Sequence, residues 1–233
     1  MMTQSQYRDA IVHSGRVLYE RGFIAATDGN ISVRLDDERI LITPTCMCKG
    51  KMHADDLVII DRYGRKLEGE RNVSSEVQMH LLIYNMRADA QAVVHAHPPT
   101  ATGFAAAGIA LDQPLVSEVV LTLGAVPLAA YGCPGTQALS DSLRPLIPEH
   151  DAILMANHGV VTYADDLERA FMQMETVEHF AKITLVARTL GNPKTLDADE
   201  VKKLTAIRRQ MEAARMEANE RRAKFEVVNS SSY

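Results

Sequence analysis

The chain has 233 residues, which suits one large domain or two small ones with a sizeable core. Hydrophobic residues make up 46% and charged residues 24%, a balance typical of folded globular proteins. The net charge of −5 and the lack of any block of like charge disfavour nucleic-acid binding. No apolar run is long enough to span a bilayer, and the polar N-terminal segment lacks the apolar core of a signal peptide. We therefore expect a cytoplasmic protein with no membrane or nucleic-acid partner.

Hydrophobic periodicity and turn residues predict alternating helices and strands. The first half should contain a helix over 6–26, strands over 27–35, 39–45 and 57–69, and a helix over 74–90 capped by Ser74 or Ser75. The second half should contain a strand over 91–97, a short helix over 99–108, strands within 114–132, a helix over 136–147, two strands over 151–164 and a helix over 166–191. A charged helix over about 197–226 and a loose tail over 227–233 should close the chain.

No internal repeat or linker divides the sequence, so we expect a single domain over residues 1–233. Strands and helices alternate along most of it. The expected fold is a three-layer α/β/α arrangement with a central, mainly antiparallel sheet.

Two histidines, His95 and His97, flank one alanine at the end of the apolar run 91–97. Residues i and i+2 of a strand point to the same face, so the two imidazoles should project side by side. Two buried imidazoles without partners would be costly. The pair is therefore either packed and hydrogen-bonded in the core or half of a metal site.

A third histidine, His158, lies in an Asn-His-Gly turn where Gly159 should permit unusual backbone angles. Three neutral imidazoles suit zinc and leave coordination positions open for a substrate. Glu76 offers a nearby acid, and a non-haem iron site with two histidines and a carboxylate stays open on spacing alone.

The segment Ser74–Ser75–Glu76 begins a predicted helix, where free N–H groups and the positive helix end attract an anion. The alternative to anion binding is an ordinary N-cap with an acidic residue in the first turn. The turns at 28–32 and 43–50 are also rich in small polar residues. Together with the histidines, the three loops suggest an anionic substrate held beside a metal.

Five short motifs occur in the order seen in class II aldolase/adducin-type proteins: 29–32, 43–45, 74–76, 95–98 and 157–159. Over roughly residues 6–190 the chain resembles this family, and in particular its L-fuculose-1-phosphate aldolases. The resemblance implies the α/β/α fold and a cyclic homotetramer with active sites at subunit interfaces.

The resemblance also assigns roles to residues. His95, His97 and His158 would bind zinc, for which manganese or cobalt could substitute, and Glu76 would be the general acid/base. Four residues would hold the substrate phosphate: Asn30, Thr45, Ser74 and Ser75.

Two positions depart from the family pattern. Cys46 stands where the aldolases commonly have glycine, which puts close backbone approach to the phosphate in doubt. Glu118 aligns with a tyrosine that the fuculose-phosphate enzymes receive from the neighbouring subunit. It would be a second acid/base or an ordinary salt-bridge partner. Tyr233 is a candidate for a C-terminal family tyrosine, but the tail is too dissimilar to assign it.

Three functions follow from these expectations. The first is a zinc-dependent aldolase that cleaves a ketose 1-phosphate to dihydroxyacetone phosphate and a short aldehyde. The second keeps the metal site but catalyses 4-epimerisation of a pentulose phosphate or dehydration of a sugar phosphate, with Glu118 as a second acid/base. The third is a non-catalytic, adducin-like assembly module, which the three histidines and Glu76 disfavour.

Overall fold

The structure is a computed structural model that describes residues 2–230, with side chains described through residue 219 and at residue 221. The strands are β1 Asn30–Arg34, β2 Arg39–Ile42, β3 Val58–Asp61, β4 Lys66–Glu68, β5 Ala92–Ala96, β6 Leu128–Ala129, β7 Ala152–Met155 and β8 Gly159–Ala164. The helices are α1 Gln4–Glu20, α2 Val77–Met86, α3 Pro99–Ala106, α4 Ser117–Thr122, α5 Gln137–Leu143, α6 Leu167–Thr189 and α7 Ala198–Ser230. Residues 231–233, with Tyr233, lie outside the described range.

The strands form one sheet in the order β4-β3-β2-β1-β5-β8-β7-β6. Neighbouring strands are antiparallel except β6 and β7, which pair in parallel. The predicted mainly antiparallel sheet is thus confirmed. β5 lies between β1 and β8, and all five of its residues are buried. Its continuous apolar run is typical of a strand covered on both faces.

Helices cover both faces of the sheet, which confirms the predicted α/β/α layering. On one face, α1, α3, α4 and α6 pack in an apolar cluster that includes Leu18, Phe104 and Phe180. On the other, α2 and α5 pack in a second cluster. Alternate residues of β5 face the two sides, with Val94 in the first cluster and Val93 in the second. His95 therefore projects toward the α2 side.

The chain after β5 is anchored by a buried carboxylate. Glu178 of α6 accepts hydrogen bonds from the backbone N–H groups of Thr100 and Ala101, at 3.1 and 2.9 Å from Oε2. These donors are free N–H groups of the first turn of α3, which a carboxylate caps favourably. The cap fixes where the chain turns immediately after His97.

Three local expectations were wrong. The 114–132 segment was expected to be strands, but it contains α4, with strand only at β6. Val119, Val120 and Leu123 recur at helical spacing and pack into the core, and this burial outweighs the strand preference of valine.

The N-cap of α2 is Glu76, whereas Ser74 or Ser75 was expected; the Ser74 hydroxyl instead accepts from the Glu76 N–H at 3.3 Å. The C-terminal helix continues to Ser230, past the expected end at 226. Within the described range, no helix is both long and apolar enough to cross a membrane.

Candidate active site

Three histidines converge on the α2 side of the sheet. His95 is on β5, His97 follows the same strand, and His158 lies in the turn between β7 and β8. One potential ligand nitrogen from each ring lies within 4.8 Å of the others. This confirms the predicted group of three histidines that could bind a metal.

The turn that carries His158 is shaped by its two neighbours. Asn157 has a left-handed backbone, with φ of 55°. Gly159, expected to supply the unusual angles, is needed for close approach instead. A Cβ there would lie 2.5 Å from His97 Cδ2 and 2.6 Å from the Ala96 carbonyl oxygen. Only glycine lets β8 approach the two histidines of β5 so closely.

The hydrogen bonds around His95 and His97 suit a cation. His95 Nδ1 donates to the Val160 carbonyl at 2.8 Å, so its Nε2 carries a lone pair when the ring is neutral. His97 Nδ1 faces the Asp28 carboxylate at 3.4 Å, which leaves Nε2 as its lone-pair atom. The two Nε2 atoms lie 3.1 Å apart. Two nitrogens bound to one tetrahedral zinc would be about 3.3 Å apart, so the pair fits a shared metal ion.

Glu76 supplies negative charge beside these rings. Its Oε2 lies 3.2 Å from His95 Nε2, and its Oε1 lies 3.2 Å from His158 Nε2. Burial alone would raise the pKa of Glu76, but the two imidazoles hold it well below its usual range. Burial lowers the pKa of His95, but the charge of Glu76 outweighs burial, so this pKa is raised above its usual value. The carboxylate therefore favours positive charge among the rings.

His97 is held neutral at physiological pH. Burial, followed by the charges of His95 and His158, lowers its pKa to about 4. A neutral imidazole is the form that binds a metal. The arrangement thus offers neutral nitrogen ligands with one acidic group beside them, which is the chemistry of a Lewis-acid site.

The predicted phosphate loops also meet at one place. The Thr45 N–H donates to the Asn72 carbonyl at 3.1 Å, and Pro44 forms a bridge with Val73, so the two loops run side by side. Ser74 is buried, whereas Ser75 is exposed. Asn30 is opposite His95 in the β1–β5 register, and its Nδ2 donates to Glu76 Oε2 at 2.8 Å.

Lys49, which was not singled out from the sequence, lies near this site. It is buried, and its Nζ donates to the Thr27 carbonyl at 2.6 Å, in the turn that leads to Asp28. Burial lowers its pKa, and the charge of Asp28 opposes that shift. Its signal in the sequence was its place in the polar 43–50 loop.

Another missed group is His80, which hydrogen-bonds Asn30 and Ser32 beneath the site. In the sequence, no paired histidine singles it out. It lies four residues after Glu76, at the spacing that places side chains on one helix face. Asn30 and Ser32 are two residues apart on β1, so they share a strand face.

Glu118 is not brought to the triad within this chain. It lies on the exposed side of α4, and in the described part of the chain no hydrogen bond or ion pair links its side chain to the histidines. Its role as a second acid/base stays a prediction.

Cys46 has a left-handed backbone with φ of 54°, although it is not a glycine. The loop thus keeps the conformation that glycine favours at this position, with a side chain present. Cys46, Cys48 and Cys133 are all free thiols.

Comparison with known proteins agrees with this fold. Residues 9–185 match the family described as Class II Aldolase and Adducin N-terminal domain. The 5-deoxy-D-ribulose 1-phosphate aldolase of Bacillus thuringiensis serovar kurstaki is 34% identical, over 88% of this chain and 95% of that protein. The 3-oxo-tetronate 4-phosphate decarboxylase of Pectobacterium atrosepticum is 32% identical, over 88% of this chain and 95% of that protein.

Among solved structures, an L-fuculose 1-phosphate aldolase superposes with a TM-score of 0.82 at 32% identity, over 88% of this chain and 97% of that chain. The chain belongs to the class II aldolase and adducin family. The prediction of an enzyme of the carbon–carbon lyase class is confirmed, since these relatives are aldolases and decarboxylases.

Proposed function

We propose that this protein is a zinc-dependent aldolase that cleaves a ketose 1-phosphate, of the L-fuculose 1-phosphate type, to dihydroxyacetone phosphate and a short aldehyde. The observation that carries the proposal is the convergence of three histidines with Glu76 at 3.2 Å from two of them. The name of the Bacillus relative widens the candidate substrates to 5-deoxyribulose 1-phosphate.

In this mechanism His95, His97 and His158 hold the metal, with manganese or cobalt as possible substitutes. When bound, the cation supplies Lewis-acid stabilisation of the carbanionic three-carbon fragment that remains when C3–C4 breaks. Glu76 gives that fragment its proton at C3, since it is the acidic side chain beside the triad. Asn30, Thr45, Ser74 and Ser75 hold the phosphate.

The assembly belongs to the same proposal. We propose a cytoplasmic homotetramer with active sites at subunit interfaces, and one continuous domain over residues 1–233 that includes α7. Glu118 is exposed on α4. A neighbouring subunit could therefore present this carboxylate to the aldehyde side of the substrate.

A decarboxylase is the second candidate, because a relative at 32% identity carries that name. Loss of carbon dioxide from a 3-oxo-tetronate 4-phosphate leaves a carbanion next to the ketone of a three-carbon phosphate. Its protonation gives dihydroxyacetone phosphate. This is the fragment that aldol cleavage of a ketose 1-phosphate also leaves, so Glu76 has the same task in both reactions. The epimerase and dehydratase alternatives depend on Glu118 and on an interface.

The deciding experiment measures dihydroxyacetone phosphate released from L-fuculose 1-phosphate, 5-deoxyribulose 1-phosphate and 3-oxo-tetronate 4-phosphate, with added zinc and with a chelator. NMR of the products separates an aldehyde, carbon dioxide, an epimer and a dehydration product. We expect zinc-dependent aldehyde release from a ketose 1-phosphate. Release only from the oxo acid would transfer the assignment to a decarboxylase.

The matched variant is Glu76→Gln, which removes the acid but keeps the size of the side chain. We expect it to retain bound zinc and to lose turnover by about 100-fold or more, the range of general acid–base catalysis. An unchanged kcat would remove the acid/base role from Glu76.

A further inference from the structure

A chain of hydrogen bonds runs from Glu76 into the buried interface between α2 and the sheet. Asn30 Nδ2 lies 2.8 Å from Glu76 Oε2, and Asn30 Oδ1 lies 2.5 Å from His80 Nε2. His80 Nδ1 lies 2.7 Å from Ser32 Oγ, which lies 2.7 Å from the Tyr84 hydroxyl. All five side chains are buried, and those of Ser32 and His80 are fully buried. None of the mechanistic steps above uses His80.

The direction of every bond follows from the Glu76 end. A carboxylate at neutral pH only accepts, so the atom of Asn30 that faces it must be the NH2 group. The Asn30 oxygen then faces His80, whose Nε2 must carry the proton. The ring is fully buried, which keeps it neutral, so Nδ1 accepts from the Ser32 hydroxyl. That hydroxyl in turn accepts from Tyr84.

The His80 N–H therefore adds to the Glu76 carboxylate in holding the Asn30 amide in this direction. A reversed amide would set its oxygen against the Glu76 carboxylate and its NH2 against the His80 N–H, so both contacts would become repulsive. Without the His80 donor, one of these penalties disappears, and the buried Asn30 oxygen loses its partner. The Ser32 hydroxyl, which the Tyr84 hydroxyl contacts in turn, holds the ring at its far side.

We propose that His80 is a positioning residue, which donates from Nε2 to Asn30 and so keeps the amide NH2 of Asn30 directed at Glu76. The inference deepens the proposed function, on which it rests, because it explains how the acid/base is held in place. It places His80 outside the catalytic group, since Asn30 separates it from Glu76.

The first test does not need a substrate. In protein labelled with 15N-histidine, the ring shifts report which nitrogen carries the proton, and the His80 signals are assigned by their loss in His80→Gln. We expect a neutral ring with the proton on Nε2 from pH 8 down to pH 5. A proton on Nδ1, or on both nitrogens, would overturn the proposal whatever the enzyme's substrate is.

The second test uses two variants of His80, each of which can keep only one of the two contacts of the ring. The amide of His80→Gln reaches the position of Nε2 and can donate to Asn30, whereas that of His80→Asn reaches only the position of Nδ1, near Ser32. We expect kcat within about 5-fold of wild type for His80→Gln and about 30-fold lower for His80→Asn, the loss typical of one buried hydrogen bond. KM should change less than kcat in both.

Both variants are assayed well below their melting temperatures, because each removes part of a buried ring. Equal kcat in the two would show that the contact with Asn30 does not matter and would refute the positioning role. If wild-type protein released no product from any sugar phosphate, the proposed function would fail, while the tautomer measurement would still decide the hydrogen-bond array.

Discussion

Two groups of partly or fully buried polar side chains lie on the α2 side of the protein, and they are built in opposite ways. The histidine cluster consists of His95, His97, His158 and Glu76. The arginine cluster consists of Arg87, Asp89, Asp151 and Tyr163. In the arginine cluster the guanidinium of Arg87 makes five hydrogen bonds, to Asp89, to Asp151 and to the carbonyls of Ile147 and His150.

A guanidinium has five N–H donors, so Arg87 is completely satisfied. The hydrogen bond with Asp89 is the main reason that the pKa of Arg87 is raised. The histidine cluster instead leaves two lone-pair nitrogens facing each other at 3.1 Å, and in the described chain His158 Nδ1 has no hydrogen-bond partner. A cluster that satisfies itself stabilises the fold, whereas one that does not is completed by a ligand.

The variant with the largest expected effect is His97→Ala, which tests whether the histidine cluster binds a metal. Removing one of three converging nitrogens should abolish stoichiometric zinc binding and lower turnover by about 1,000-fold or more, because Lewis-acid stabilisation is lost. The melting temperature of the metal-free protein should change little, since the polar contact of the ring outside the cluster, with the exposed Asp28 carboxylate at 3.4 Å, contributes little to stability. Metal analysis, product release and calorimetry measure the three quantities.

His13→Ala is the matched control, because His13 is an exposed histidine on α1. It should match wild type in all three measurements. Full turnover by zinc-free His97→Ala protein would contradict the metal site.

Arg87→Met should lower stability and leave zinc binding and turnover unchanged, which is the opposite of the result expected for His97→Ala. This variant leaves Asp89 without its cation and Asp151 with Arg208 alone, in a partly buried place, which should cost about 3 kcal/mol of unfolding free energy. Zinc content and kcat at low temperature should stay at wild-type levels. Urea unfolding measures the free energy of unfolding. Loss of zinc from a variant that is still fully folded would mean that the two clusters are not independent.

The sequence predicted the histidine cluster better than the arginine cluster. His95 and His97 are two residues apart on a strand, so their common direction follows from the strand period alone. The sheet likewise followed from alternating apolar runs. Arg87 contacts the carbonyl of His150, which lies 63 residues later in the chain, and no local pattern predicts such a contact.

The same limit explains the other errors. His80 and Asn30 are fifty positions apart, so the spacing of His80 to Glu76 indicated a shared face but not its partner. The valines of α4 favour a strand locally, and only packing against the rest of the core makes them helical.

The loss of stability at acid pH should report on His80, which lies beneath the histidine cluster. Burial, followed by the charge of His95, lowers the pKa of His80 to about 3. Below the unfolded pKa of about 6.5 the unfolded chain takes up a proton that the folded chain excludes, so stability is lost as pH falls. Between pH 7 and pH 5 this one group should cost about 2 kcal/mol of unfolding free energy.

Urea titrations of chelator-treated protein at pH 7, 6 and 5 measure this loss. Between pH 7 and pH 5, the unfolding free energy of His80→Gln should fall by about 2 kcal/mol less than that of wild type. A His80→Gln slope equal to that of wild type would mean that His80 is protonated in the folded protein.

The smallest effect is expected at Cys46, in the loop that carries Thr45 beside the histidine cluster. A left-handed backbone costs a residue with a side chain about 1–2 kcal/mol, and glycine gives back part of that as chain entropy in the unfolded state. Cys46→Gly should therefore stabilise the protein by about 0.5 kcal/mol. Cys48, with φ of −69°, has an ordinary backbone, so Cys48→Gly should destabilise instead. Opposite signs in urea unfolding would locate backbone strain at Cys46; the same sign in both variants would mean that the loop relaxes around the cysteine.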